Sequence, residues 1–117
     1  MNTEELREFC LALPHTTEDV KWGNDLCFSI GGKMYCVTGL GDADAGKISF
    51  KCTPEKFAEL TERNGVEPAA YVARYHWVTV SAPNALAEGE LEQLISNSYK
   101  MVRGKLPAKV RKGLESK

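Results

Sequence analysis

The stretch from Leu26 to Thr38, Leu-Cys-Phe-Ser-Ile-Gly-Gly-Lys-Met-Tyr-Cys-Val-Thr, limits the possible folds more than any other part of the chain. Two apolar-rich runs flank the pair Gly31-Gly32. Glycine takes positive φ at little cost, and tight type I′ and II′ hairpin turns need it. With those two glycines as the whole loop, Ile30 faces Lys33, Phe28 faces Tyr35 and Cys27 faces Cys36. Side chains alternate along a strand. Leu26, Phe28, Ile30, Tyr35 and Val37 then form a core face, and Cys27, Ser29, Met34, Cys36 and Thr38 a half-covered one.

The flanking segments supply partners for this hairpin. Asn2 and Glu5 make a capping box for a first helix, whose stripe is Leu6, Phe9, Cys10 and Leu13 and whose stop is Pro14. Val20 and Trp22 alternate with Lys21, which reads as a short edge strand within His15 to Asn24. The glycines and aspartates of residues 39–46, with Asp42 and Asp44, mark a mobile loop. Lys47 to Cys52 alternates as a strand with one wet face. Thr53-Pro54-Glu55 starts a helix with inner residues Phe57, Leu60 and Thr61, closed at Asn64-Gly65. Val66 to Arg74 reads as an ordered loop and Tyr75 to Val80 as a strand ended by Pro83-Asn84. The last helix spans about Glu88 to Gly104, with Leu91, Leu94, Ile95, Ser98 and Val102 at helical spacing. Tight turns between adjacent strands predict an α+β fold, a mainly antiparallel sheet with helices on one face. At 117 residues, with no repeat or linker, the chain reads as one domain, 1–117, with 107–117 as a basic tail.

Composition narrows the setting. A chain 43% hydrophobic and 26% charged is ordinary for a folded soluble protein. The N-terminus lacks a basic-then-apolar leader, so a cytoplasmic location with no membrane contact is expected. Cys10, Cys27, Cys36 and Cys52 form no Cys-x-x-Cys pair and read as buried, reduced thiols; pairing of Cys27 with Cys36 stays open.

Motifs for catalysis are missing. The 39–46 loop has neither Gly-Lys-Ser/Thr nor Gly-x-Gly-x-x-Gly before a helix, and the twelfth position from Asp42 is Thr53 rather than the glutamate of a calcium loop. His15 and His76 are the only histidines, and no Gly-x-Ser-x-Gly occurs. The expectation is a non-enzymatic protein without metal or other cofactor. Glu4, Glu5 and Glu8 read as solvated partners of the first helix dipole. Charge is uneven. Residues 100–117 hold seven bases and one acid, a net +6, so the total of −1 leaves −7 on the first 99 residues. Together with Lys33, Lys47, Lys51, Trp22, Tyr35, Trp77 and Tyr99, the basic end offers the cations and rings that nucleic-acid binding uses.

Gly31-Gly32-Lys33-Met34-Tyr35, Tyr-His-Trp-Val-Thr-Val at 75–80, Ser98-Tyr99, Leu106-Pro107 with its basic tail, and Leu13-Pro14 stand in a set order. In that order they resemble the MmcQ/YjbR-like family of small bacterial proteins, over about Leu6 to Arg111. The resemblance implies an α+β, CyaY-like (frataxin-like) fold described as a double-wing DNA-binding motif, with hairpin loops as wings beside a helix. The wings would be the Gly31-Gly32 turn and the 39–46 loop, or a loop near Pro83. The implied partner is double-stranded DNA. Candidate contacts are Lys33, Lys47, Lys51, His76, Trp77, Arg103, Lys105, Lys109, Arg111 and Lys112. The frataxin-like likeness also implies an iron or partner-protein surface on Glu4, Glu5 and Glu8. The alternative function is a small-molecule or protein-binding module using a groove near Trp77 and Tyr99.

Overall fold

The computed structural model describes residues 1–41, 45–82 and 84–115. Helix α1 (Thr3–Leu11) leads into strands β1 (Thr17–Lys21), β2 (Asp25–Ile30), β3 (Lys33–Gly39) and β4 (Ile48–Lys51). Helix α2 (Pro54–Leu60), strands β5 (Val66–Pro68) and β6 (Trp77–Val80), and helices α3 (Glu88–Gly104) and α4 (Ala108–Glu115) follow. The six strands form one sheet in the order β1-β2-β3-β4-β6-β5, every neighbouring pair antiparallel. The α+β class with helices on one face is as expected.

Helix α1 carries the expected capping box. The Asn2 side chain accepts from the Glu5 N–H at 2.8 Å, and the Glu5 carboxylate accepts from the Asn2 N–H at 3.0 Å. Leu6 and Cys10 of α1 are buried against Phe28, Ile30 and Tyr35. Helix α3 adds Leu91, Leu94, Ile95 and Tyr99 to the same core.

The hairpin departs from the simple register. Gly31 (φ +58°) and Gly32 (φ +81°) make a two-residue turn with positive φ at both places, and Ile30 pairs with Lys33 and Ser29 with Met34. A bulge then intervenes, and Phe28 pairs with Cys36 and Cys27 with Val37. Tyr35 is the extra residue, and it reverses the faces beyond it. Cys36 joins the core cluster and Thr38 is 1% exposed, while Val37 turns to the other face with Met34. The expected Cys27–Cys36 opposition is therefore corrected: the two thiols leave the sheet on opposite faces. All four cysteines are free and buried.

The bulge answers to Tyr35. Its hydroxyl donates to the Cys10 carbonyl at 3.2 Å and lies 2.8 Å from the Thr16 hydroxyl. Its carbonyl accepts from the Ser98 hydroxyl at 2.6 Å, and the Ser98 oxygen accepts from the Lys51 N–H at 3.0 Å. One buried serine thus joins α3, β3 and β4. Burial raises the Tyr35 phenol above its ordinary range, so it stays protonated and keeps its donor.

Three further expectations change. Val66 to Pro68, read as loop, is strand β5, paired with β6. The strand expected from Tyr75 begins at Trp77, because Ala73–Tyr75 forms a 3-10 turn ended by His76 in left-handed conformation (φ +66°). The basic segment expected as a tail contains helix α4, so it is ordered over Ala108–Glu115. Asp42, Asp44, Pro83 and Lys117 lie outside the described residues, and with them the tip of the 39–46 loop and part of the loop near Pro83.

Candidate functional site

Two regions gather chemistry-bearing side chains. The first is the end of the sheet at the Gly31-Gly32 turn. Beyond Lys105, the chain turns at Leu106-Pro107 and α4 folds back. Leu106 is buried, and a Cβ built on Gly31 would lie 2.6 Å from Leu106 Cδ1 and 3.0 Å from Val110 Cγ1. The hairpin turn therefore sits directly under the start of α4, and glycine is required there by close approach as well as by φ. This packing places exposed Lys33, two residues past Gly31, at the same end as exposed Lys105, Lys109, Arg111 and Lys112.

Lys51 belongs to this end as well. Burial, then the nearby Lys105 charge, holds its amine below the ordinary lysine value. Its Nζ donates to the Tyr75 carbonyl at 2.9 Å. Lys51, Lys56 and Lys100 line a recess of about 230 Å³ between α2 and α3, together with Cys52. Burial pushes the Cys52 thiol up to about 11, against the opposing pull of Lys51 and Lys56. Arg103 has a different position. Its guanidinium lies 3.8 Å from the Glu115 carboxylate across the α3–α4 turn, and its buried Nε has no hydrogen-bond partner among the described residues. Its side chain is 40% exposed, and this long contact to an exposed carboxylate is a weak one.

The second region is the face of the sheet away from the helices. A cleft of about 660 Å³ lies over it, floored by Met34, Val37 and Trp77 and rimmed by Trp22 and Tyr71. Ser49 and Thr79, whose hydroxyls lie 2.8 Å apart, also line it. Trp77, expected as a nucleic-acid contact, is 8% exposed and belongs to this floor. Lys47 lines the opposite end of the cleft from Trp77, beside Gly39 and far along β3 from Lys33. His76 belongs to neither region, because its ring meets Phe57 of α2 edge to face at 5.7 Å.

The expected groove between Trp77 and Tyr99 does not form. Tyr99 lies on the helix side, 5.3 Å from the Tyr35 ring, with its hydroxyl donating to the Pro14 carbonyl at 2.7 Å. Trp77 lies on the other side of the sheet. Tyr71 was not among the expected site residues. Its only sequence signal is an aromatic in the otherwise small-residue run Ala69-Ala70-Tyr71. Among the described residues, no group of three or more His, Cys, Asp and Glu converges to hold a metal, and no helix is long and apolar enough to cross a membrane.

A six-stranded antiparallel sheet, covered by helices on one face and open on the other, with a basic helix folded onto its central turn, defines a distinct class of α+β domain. The chain belongs to the YjbR family, whose model matches residues 11–101. It is similar to Deinococcus radiodurans protein DR2400, known from a crystal structure as a DUF419 domain, with 28% identity and a TM-score of 0.86. That likeness covers 97% of this chain and 88% of the other. It is also similar in fold to a Pseudomonas syringae protein known from a crystal structure, with 24% identity and a TM-score of 0.70, over 87% of this chain and 99% of that one. No curated protein matches.

Proposed function

We propose that this YjbR-family protein is a non-enzymatic, cytoplasmic binder of double-stranded DNA, contacting phosphates at its basic end. The observation that carries this reading is the seating of Leu106 and Val110 on Gly31, which joins the cations of α4 to the Lys33 turn. Lys51 and Lys100 around their recess extend the same positive end towards α2, where Lys56 is paired with Glu59 at 3.1 Å. The acids of α1 and β1, from Glu4 to Asp19, belong to other elements. This separation gives the molecule a polarity that orients it on a polyanion despite a total charge of −1. Contacts of this kind are made to backbone phosphate, so they are salt-sensitive and carry little sequence information.

The test is fluorescence anisotropy with a labelled duplex at low and at raised salt. The intact chain is compared with a variant carrying Lys109→Glu, Arg111→Glu and Lys112→Glu. Charge reversal on the exposed side of α4 leaves Leu106 and Val110 in place, which truncation would not. Binding should weaken as salt rises, and the logarithmic salt slope should fall by about 0.9 for each phosphate that the variant no longer neutralises. Absence of binding by the intact chain at low salt ends this reading.

A further inference from the structure

The open face of the sheet has no counterpart in the DNA reading. Its cleft, at about 660 Å³, falls within the roughly 300–1,000 Å³ of small-molecule sites. Trp22 comes from the β1–β2 turn and Tyr71 from the β5–β6 connection, at opposite edges of the sheet, and both rim this one cleft. Trp77 lies in its floor.

The exposure of the rim rings is not explained by folding. Trp22 is 71% exposed and Tyr71 is 98% exposed, so neither ring contributes much stability through burial. Both also have left-handed backbone, at φ +54° and +68°; at Trp22 it continues into Gly23 (φ +84°) as part of the tight β1–β2 turn. Two unburied rings therefore flank an apolar floor.

The charge in the cleft selects among occupants. Asp25 and Lys47 are the charged residues among its described lining, one of each sign. A polyanion entering would meet the Asp25 carboxylate with no cationic excess to offset it, in contrast with the basic end. Apolar and aromatic walls with balanced charges and the Ser49–Thr79 hydroxyls complement an uncharged ring system with polar edges.

We infer that the open face is a binding site for an uncharged, planar heteroaromatic small molecule, held against Trp77 with the Trp22 and Tyr71 rings at its rim. This site is separate from the basic end.

The chain holds two tryptophans, Trp22 and Trp77, and both line the cleft, so tryptophan fluorescence, excited at the red edge where tyrosine absorbs little, reports on this site. The experiment titrates adenosine, thymidine and caffeine, each separately, into the intact protein, Trp22→Ala and Tyr71→Ala, with far-UV circular dichroism as the check on fold. The expected result is saturable quenching by at least one probe, with Kd raised at least tenfold in Tyr71→Ala and in Trp22→Ala, the latter read through Trp77. The triple charge reversal in α4 should leave this Kd unchanged even if it abolishes DNA binding. No saturable change with any of the three probes overturns the inference. So does unaltered affinity in both rim variants. A single-stranded oligonucleotide that binds at least tenfold tighter than its nucleoside, and loses that binding in the rim variants, would assign the cleft to a nucleic-acid strand and overturn it as well.

Discussion

On the helix-covered face of the sheet, Tyr35 and Tyr99 meet edge to face and both hydroxyls are hydrogen-bonded to backbone carbonyls. On the open face, Trp22 and Tyr71 stand mostly in solvent on left-handed backbone. The residue types are alike, but the consequences differ. Aromatic rings on the covered face exclude water and have their polar atoms satisfied, so removing one leaves a void and orphaned partners. The Trp22 and Tyr71 rings leave little behind when removed. One face therefore holds the fold together, and the other is free to be shaped by something the protein binds.

Substitutions can break or sharpen that contrast. The largest loss is expected for Tyr35→Ala, which empties a fully buried site and strands the Thr16 hydroxyl; chemical denaturation should show about 3–5 kcal/mol. A loss below about 1 kcal/mol would mean that the covered face is not tightly packed. Ser98→Ala keeps nearly the same shape but leaves the Lys51 N–H and the Tyr35 carbonyl without their buried partner. It should cost about 1–3 kcal/mol by the same measurement.

Acid should act more gently, at the edge of the covering layer. Arg7 of α1 grips Glu18 of β1 through two hydrogen bonds, Nε to Oε2 at 2.9 Å and Nη2 to Oε1 at 2.7 Å. The Arg7 hydrogen bond is the main cause holding the Glu18 carboxyl below its ordinary value of 4.5. A carboxyl depressed on folding stabilises the protein above its unfolded value, and that contribution disappears as pH falls through the folded value. Melting temperature followed downward from pH 4.5 should drop less steeply in Glu18→Gln than in the intact chain. Equal slopes would show that this pair does not pin α1 to the edge strand. The smallest effect belongs to the open face: Trp22→Ala and Tyr71→Ala should each change stability by no more than about 0.5 kcal/mol. A loss of about 2 kcal/mol or more, on the scale of a buried side chain, would make these rings structural and erase the contrast.

Much of the covered face was legible in the residues. The Asn2–Glu5 box placed the start of α1, Thr53-Pro54 placed α2, and the three-and-four spacing from Leu91 to Ser98 placed α3. These signals are local: each depends on side chains within a turn or two of one another. The Gly31-Gly32 turn was legible for the same reason. β5 was not, because a three-residue strand has no period to detect and exists only through pairing with β6. Nor was the beginning of β6, since β-forming Tyr75 and His76 were diverted into a 3-10 turn and a left-handed position. The basic segment was visible as charge, but its helical form depends on Leu106 and Val110 finding Gly31 across the molecule.

The candidate sites divide along the same line. The cations at the end of the chain can be counted without a structure, whereas their neighbourhood with Lys33 and Lys51 cannot. Trp77 and Tyr99 lie far enough apart in the chain that only the sheet could show them on opposite sides. The clearest case is the hairpin itself. Its two strands, turn and glycines follow from residue types, because backbone preference at Gly31-Gly32 and alternation are local properties. Its faces do not. A single extra residue at Tyr35 exchanges inside for outside along the rest of β3, and that choice is made by Cys10, Thr16 and Ser98, partners contributed by distant parts of the chain whose hydrogen bonds exist only once the helices are packed.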